Sequence, residues 1–353
     1  MRMARRGAIA ALVALIAYLL FWPVPISPVA WTPPAAPPHE ENDRLAGAVR
    51  IGAEYPGPED IAFDREGRIV TGLADGRIVR MARDGSRAEV LARTGGRPLG
   101  MVFDPEGGLV VADASKGLLR MGTRGEIETL LTETEGRPLR FPDDLDVARD
   151  GTVYFSDASA RFTIEAFVLD LLEHSGTGRL IVYQPRTGGS RALLDGLQFA
   201  NGVVLAPDES YVLVCETWAY RIRRYWLKGP RAGTSDVWVE NLPGFPDNIN
   251  RSPGDGLFWL ALTPRIRSVD SLAPWPFLRE LQLRLPRFFQ PAPPNVALVL
   301  GLDDTGRVVH TLEDRTGSVV HVTSAMWFDD SLYLGSATGH GIAVSRQLRM
   351  GAR

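Results

Sequence analysis

The sequence predicts an all-β chain: a six-bladed β-propeller with an N-terminal transmembrane helix and short helical insertions. Three observations lead there. From residue 50 onward, short apolar runs alternate with Asp/Gly turns, and no long helical period dominates. One phrase recurs six times: a polar start, a short strand, an acidic or glycine turn, then a second strand. Residues 7–22, GAIAALVALIAYLLFW, carry no charge and follow Arg2, Arg5 and Arg6.

The apolar segment comes first in the chain. As a helix its 16 residues rise about 24 Å, short of a ~30 Å hydrocarbon core. Pro23 to Ile26 would extend the stretch to twenty residues. The basic flank predicts a cytoplasmic N-terminus and a body on the extracytoplasmic or lumenal side. A cleaved signal peptide is the alternative, but Pro28-Val29-Ala30 places proline at the −3 position of the cleavage site. Residues 27–44 are Pro-rich and read as a stiff spacer holding the body off the bilayer. The expected division is therefore 1–26 cytoplasmic tip and anchor, 27–44 spacer, 45–348 propeller and 349–353 tail.

Composition narrows the chemistry. Of 353 residues, 45% are hydrophobic, enough for a sizeable core, and the net charge of −3 is too small for a nucleic-acid binder. A single cysteine, Cys215, excludes an intrachain disulfide and Cys-rich zinc folds. The five histidines include no His-x-x-x-His pair. Any metal site must then be built mostly from oxygen.

The repeated phrase appears as EDIAFDREGRIVTG at 59–72, LGMVFDPEGGLVVAD at 99–113 and DDLDVARDGTVYFSD at 143–157. It returns as NGVVLAPDESYVLVCET at 201–217 and DNINRSPGDGLFWLA at 247–261, and more loosely as VTSAMWFDDSLYLGSA at 322–337. One copy is too small to bury its own face; stacking around an axis as four-stranded blades does so. A β-sandwich with accidental similarity is the competitor. Two longer gaps hold extra elements. Residues 161–173 read as a short helix. Residues 270–290 place Phe277, Leu281, Leu285 and Phe288 on one face, with Arg279, Arg284 and Arg287 among them. That stripe reads first as packing on the parent domain, then as a lid over one mouth, then as a membrane contact.

Aligned on the turn and read eight residues back, the copies give Glu59, Leu99, Asp143, Asn201, Asp247 and Val322, from Gly67, Gly107, Gly151, Glu209, Asp255 and Asp330. Equivalent positions in a propeller lie at one height around the axis. Four of the six carry side-chain oxygen and would begin the strands nearest the central channel. Three carboxylates meeting there repel one another unless a cation lies among them. Carboxylate and amide oxygens suit Ca²⁺, with Mg²⁺ or Mn²⁺ as alternatives. Asn248 is a candidate fifth ligand and Asp144 a candidate acid/base carboxylate. Asp and Asn also cap turns and bind backbone at strand starts, and that reading stands beside the metal.

The stretch VYFSDASARF, LLEHSGTGRLIVYQP, LLDGLQFANGVVLAPDESYVLVCET within 153–217, flanked by FPDDLDV and LPGFPDNI, carries a resemblance. Over roughly 45–348 the chain resembles the strictosidine synthase-like family, in its membrane-anchored, adipocyte plasma membrane-associated protein subtype. That family lies among the six-bladed propellers that include gluconolactonases, regucalcin and paraoxonases. The resemblance implies that Glu59, Asn201 and Asp247 hold a catalytic metal, usually calcium, and that Asn248 matches a further calcium-binding Asn. Asp143 matches a position that is often Asn in paraoxonase-like relatives. Two departures matter. Leu99 stands where paraoxonase-like enzymes have a histidine. Residues 317–327, where strictosidine synthases carry their catalytic glutamate, contain no Glu.

The expected function is a calcium-dependent hydrolase of small hydrophobic esters or lactones. Asp144, a loosely held ligand or His321 would be the base, with His340 a more remote candidate; His174 and His310 read as structural. Leu99, Trp218 and Phe245 would form an apolar substrate wall, or serve as ordinary blade packing. Glu216 would bind backbone or line the pocket. A non-catalytic binding propeller with a structural metal is the main alternative, and an amine–aldehyde condensing enzyme a third.

Overall fold

The computed structural model describes residues 2–252, 254–286, 289–290 and 292–346. Arg287 and Phe288 of the expected stripe, and the tail 349–353, lie outside the described residues. Six four-stranded antiparallel sheets form the body, as the repeat predicts. Their first strands are Ala62–Phe63, Pro98–Phe103, Pro142–Val147, Ala200–Leu205, Gly244–Arg251 and Ser324–Phe328. First strands of neighbouring blades contact one another, which puts them at the hub. The ring closes through Val49–Pro56, which forms the outermost strand of blade six by pairing with His340–Ser345 (Val49 opposite Val344, Ile51 opposite Ile342).

The core is a set of layers between blades. Ile61, Ile69 and Val79 of blade one pack against Tyr333, Ile342 and Val344 of blade six. Leu213, Cys215 and Ile222 of blade four meet Phe258, Leu260 and Leu300 of blade five. Each such side chain, removed from water, contributes about 1.5–3 kcal/mol, and none finds that burial within its own blade. The turns follow the recurring Gly: Gly67, Gly107 and Gly151 have φ of +70°, +90° and +87°, and Glu209 takes +55° in blade four. Blade six instead turns on Asp329 and Asp330, both at positive φ, between Phe328 and Ser331.

Helix α1 (Arg2–Phe21) has 20 residues, about 30 Å of rise, and is apolar enough to cross a bilayer. Its extra length comes from the basic N-terminal side, not from Pro23–Ile26, because Pro23 cannot continue the hydrogen-bond ladder. The Pro-rich segment 27–44, expected as a stiff spacer, lies as a strap on the propeller. Val29 N donates to Glu173 O at 2.8 Å and Trp31 N to Ala273 O at 3.3 Å. Arg265 Nη1 donates to Pro34 O at 2.6 Å, and Asn42 N to Glu313 Oε2 at 3.1 Å.

Helix α2 (Phe167–Glu173) lies within the predicted 161–173 segment. The 270–290 region is broken into α3 (Arg267–Leu272) and α4 (Pro276–Arg284) around Pro274 and Pro276. The expected packing stripe does not form: Phe277 is exposed and Leu281 and Leu285 are half-buried, while Arg279, Gln282 and Arg284 are buried.

Candidate metal centre

The step of eight residues corresponds to a backbone feature. In blade two, Pro98 pairs with Asp113 and Met101 with Val111, so Leu99 and Gly100 together oppose the single residue Ala112. The same shift falls between Pro142 and Leu145, Ala200 and Val203, and Pro246 and Ile249. Leu99, Asp143, Asn201 and Asp247 each begin such a bulge at the start of a hub strand. A bulge re-aims a side chain without ending the strand. Glu59 lies just before the short hub strand of blade one, Ala62–Phe63.

Glu59, Asp143, Asn201 and Asn248 are buried. Asn248 Nδ2 donates to Glu59 Oε1 at 3.0 Å across blades five and one. Burial, then the charges of Asp247, Asp60 and Asp143, holds the Glu59 carboxyl well above its usual range. Burial and then Asp247 raise Asp143 likewise. Asp247 is pushed up to about 7 by burial, against the lowering effect of a hydrogen bond from Asn201. These carboxylates bear on one another, and Arg97 is a nearby cation that partly offsets Glu59 and Asp143. Three buried oxygens accept no hydrogen bond: Glu59 Oε2, Asn201 Oδ1 and Asn248 Oδ1. An unpartnered buried acceptor is costly, and three beside mutually repelling carboxylates fit a hard cation. Among the described residues no three Asp, Glu, His or Cys side chains alone form a metal cage. The candidate cage therefore depends on its two asparagine oxygens.

The position after each ring residue forms a second ring that ties blades together. Asp60 Oδ2 accepts from Met101 N at 3.1 Å and Oδ1 from Ser324 Oγ at 2.7 Å. Asp144 Oδ2 accepts from Val203 N at 2.8 Å. Thr323 Oγ1 donates to Glu59 O at 2.8 Å. Asn248 holds this position in blade five, and Gly100 and Gly202 fill it in blades two and four. A Cβ on Gly100 would lie 2.3 Å from Asp144 Oδ1, and one on Gly202 2.5 Å from Asp247 O. Asp144, expected as an acid/base group, thus has a structural task. Asp60 escaped the sequence reading although it occupies the same column as Asp144 and Asn248. Arg97 escaped it too; it donates to Gly57 O at 2.9 Å and Ala337 O at 3.3 Å at the ring's edge.

Leu99, Trp218 and Phe245 fall in one cluster with Phe141, Phe199 and Tyr220. Trp218 lies 4.6 Å from Phe199 and 5.5 Å from Phe245, centroid to centroid, and its Nε1 donates to Asp170 Oδ1 of α2 at 3.0 Å. Trp31 of the strap stacks on His174 at 4.1 Å above this cluster's Tyr220. Glu216 binds backbone, accepting from Gln198 N at 3.0 Å, and pairs with Arg221. His321 is half-buried, with a left-handed φ of +51°, in the loop before Val322. His310 stacks on Trp259 at 5.9 Å, and His340 lies exposed in blade six. A separate cavity of about 550 Å³, lined by Phe63, Arg68, Phe103 and Arg124, opens at the opposite, turn-bearing end.

The chain matches the family model "Strictosidine synthase" over residues 143–230 and "Strictosidine synthase-like, N-terminal" over residues 37–81. It is 38% identical over 326 residues to the adipocyte plasma membrane-associated protein of Bos taurus, covering 84% of this chain and 78% of that one. It is 37% identical over 350 residues to Protein STRICTOSIDINE SYNTHASE-LIKE 3 of Arabidopsis thaliana, covering 88% and 89%. A gluconolactonase from Xanthomonas campestris superposes with TM-score 0.59 at 17% identity, over 91% of this chain and 99% of that one. Regucalcin from Agrobacterium tumefaciens, a calcium-binding protein, gives 0.58 at 14%, over 84% and 92%. At those identities the two structures speak for the propeller fold alone. The bovine and plant relatives share far more sequence, over more than four-fifths of the chain, and the chain belongs to the strictosidine synthase-like family.

Proposed function

We propose that this chain is a membrane-anchored, calcium-dependent hydrolase of esters or lactones, held by α1 with its propeller on the extracytoplasmic or lumenal side. The observation that carries the reading is the hub ring: buried carboxylates facing one another beside three unpartnered buried oxygens. The likeness to a gluconolactonase and to a calcium-binding regucalcin supports it at the level of fold. Glu59, Asn201, Asp247 and Asn248 would hold the cation, with Asp143 at its open side. When bound, the cation supplies a Lewis acid that polarises the substrate carbonyl.

Asp143 is the ring carboxylate least tied down: its side chain takes no hydrogen bond among the described residues, and burial raises its proton affinity. It is the proton acceptor in this reading, taking a proton from the attacking water. Asp144 stays with Val203 as a blade tie, and His321 is the alternative base. Arg97 adds positive charge at the rim, where negative charge develops on the carbonyl oxygen. Leu99, Trp218 and Phe245 favour an apolar acyl or aryl group.

A second reading has its own observation. Leu99 replaces a histidine at the rim, and Asp60 and Asp144 are committed to backbone. A propeller whose cation only ties blades together, serving as a binding platform, would look the same at these positions. Amine–aldehyde condensation lacks its last-blade glutamate. The full chain in detergent, assayed with phenyl acetate and a lactone panel, separates the two. The hydrolase reading expects EDTA and Asn201→Ala each to remove turnover by about 100-fold or more, and Asp143→Asn to lower kcat with the cation still bound. Bound cation with no turnover across the panel overturns it in favour of the platform.

A further inference from the structure

Helix α4 is built inside out. Its polar side chains point inward: Arg279 is 2% exposed, Gln282 7% and Arg284 8%. Its first apolar side chains point outward, with Phe277 at 50%, Leu278 at 37% and the preceding Trp275 at 61%, while Leu281 and Leu283 are half-buried. The buried guanidiniums bind backbone carbonyls, and Arg284 also pairs with Glu280 of its own helix at 3.2 Å. Arg279 donates to Leu172 O of α2 at 2.9 Å and to Val29 O of the strap; Arg284 Nε donates to Trp22 O at 2.7 Å. Phe167, at the start of α2, is also exposed, as is Trp22 at the end of α1. A soluble surface helix has the reverse arrangement.

Position explains the inversion. Tyr18, in the last turn of α1, donates from its hydroxyl to Arg284 O at 3.2 Å. The C-terminal end of α4 therefore lies at the level of the final turn of a helix long enough to span a bilayer. Trp275 is nine residues from Arg284, about 14 Å along a helix. Trp275, Phe277 and Leu278 thus lie within about 14 Å of the anchor's final turn, and Trp and Phe are the side chains that partition favourably at a bilayer interface. Helices α2 and α4 also both leave their blades after the second strand, at the propeller end that carries the ring.

We propose that Phe167, Trp275, Phe277 and Leu278 form a second membrane contact, a collar seated in the phospholipid leaflet from which α1 emerges. The ring-bearing end of the channel then faces that leaflet. This rests on α1 being a membrane anchor. In the hydrolase reading, the substrate is an amphiphilic ester or lactone that enters from the lipid.

The test uses the full chain in phosphatidylcholine vesicles, with an environment-sensitive dye on one introduced cysteine. Native Cys215 is buried and does not compete. Phe277→Cys and Leu278→Cys probe the collar; Val90→Cys, exposed on the outer strand of blade one, is the reference. The collar dyes are expected to be quenched by lipid-borne nitroxide and to be about threefold or more less accessible to iodide than the reference dye. Iodide access equal to the reference, in vesicles that retain the protein through an alkaline wash, overturns the collar and leaves the anchor standing. Protection from iodide without nitroxide quenching means a second copy covers the surface, and also overturns it. Loss of the protein in the wash overturns the anchor and the collar with it.

Discussion

His174 is held neutral by its surroundings. It is buried, stacks on Trp31 at 4.1 Å, and faces the positive charges of Arg279 and Arg221. Burial first, then those charges, lowers it to about 3. A depressed histidine contributes stability that is complete above its unfolded pKa of about 6.5 and is lost as pH falls toward 3. Between pH 7 and pH 4 that loss is about 3 kcal/mol. His174→Asn keeps a residue suited to the left-handed φ of +54° and removes the titration. Denaturant midpoints of the variant are expected to fall less steeply than wild type over that range; parallel slopes contradict this. His174 read as structural from sequence, and its ring is buried against Trp31. The ring residues were also legible, because a bulge repeated in equivalent strands repeats its sequence spacing. Asp60 and Arg97 were not, since their partners lie in other blades and a single alignment column does not reveal them.

The docking of the strap and the orientation of α4 were not legible element by element. A Pro-rich segment carries no periodicity that announces docking; its partners are backbone groups of Glu173, Ala273 and the guanidinium of Arg279. The apolar stripe of 270–290 was visible, but its direction was not, because the inward arginines bind carbonyls of Trp22, Val29 and Leu172, all distant in sequence. Arg279→Met preserves bulk and leaves Leu172 O and Val29 O without their donor. It is expected to cost about 2–4 kcal/mol and to speed proteolysis within residues 27–38. The His39 and Asn42 contacts to Glu313 would persist, so cleavage should not spread past them. Unchanged stability and cleavage would show that Arg279 does not hold the strap.

Across the molecule, the repeat set the architecture. Six interblade layers and the closing strand Val49–Pro56 make a ring with no free hub edge, and the repeated bulge gathers chemistry from separate blades at one height. Such a ring concentrates negative charge where its strands converge, and the blades are tied by Asp60, Asp144 and Thr323 around it. A cation held by Glu59, Asn201, Asp247 and Asn248 would link three blades and stabilise the folded chain by about 2.7 kcal/mol at a concentration 100-fold above its Kd. Elemental analysis of the purified full chain at neutral pH, paired with thermal unfolding in calcium and in EDTA, tests this most directly. One divalent cation per chain, a higher Tm in calcium, and loss of both in Asn201→Ala are expected. A wild-type chain with no bound divalent cation, and the same Tm in calcium and EDTA, would contradict the metal ring.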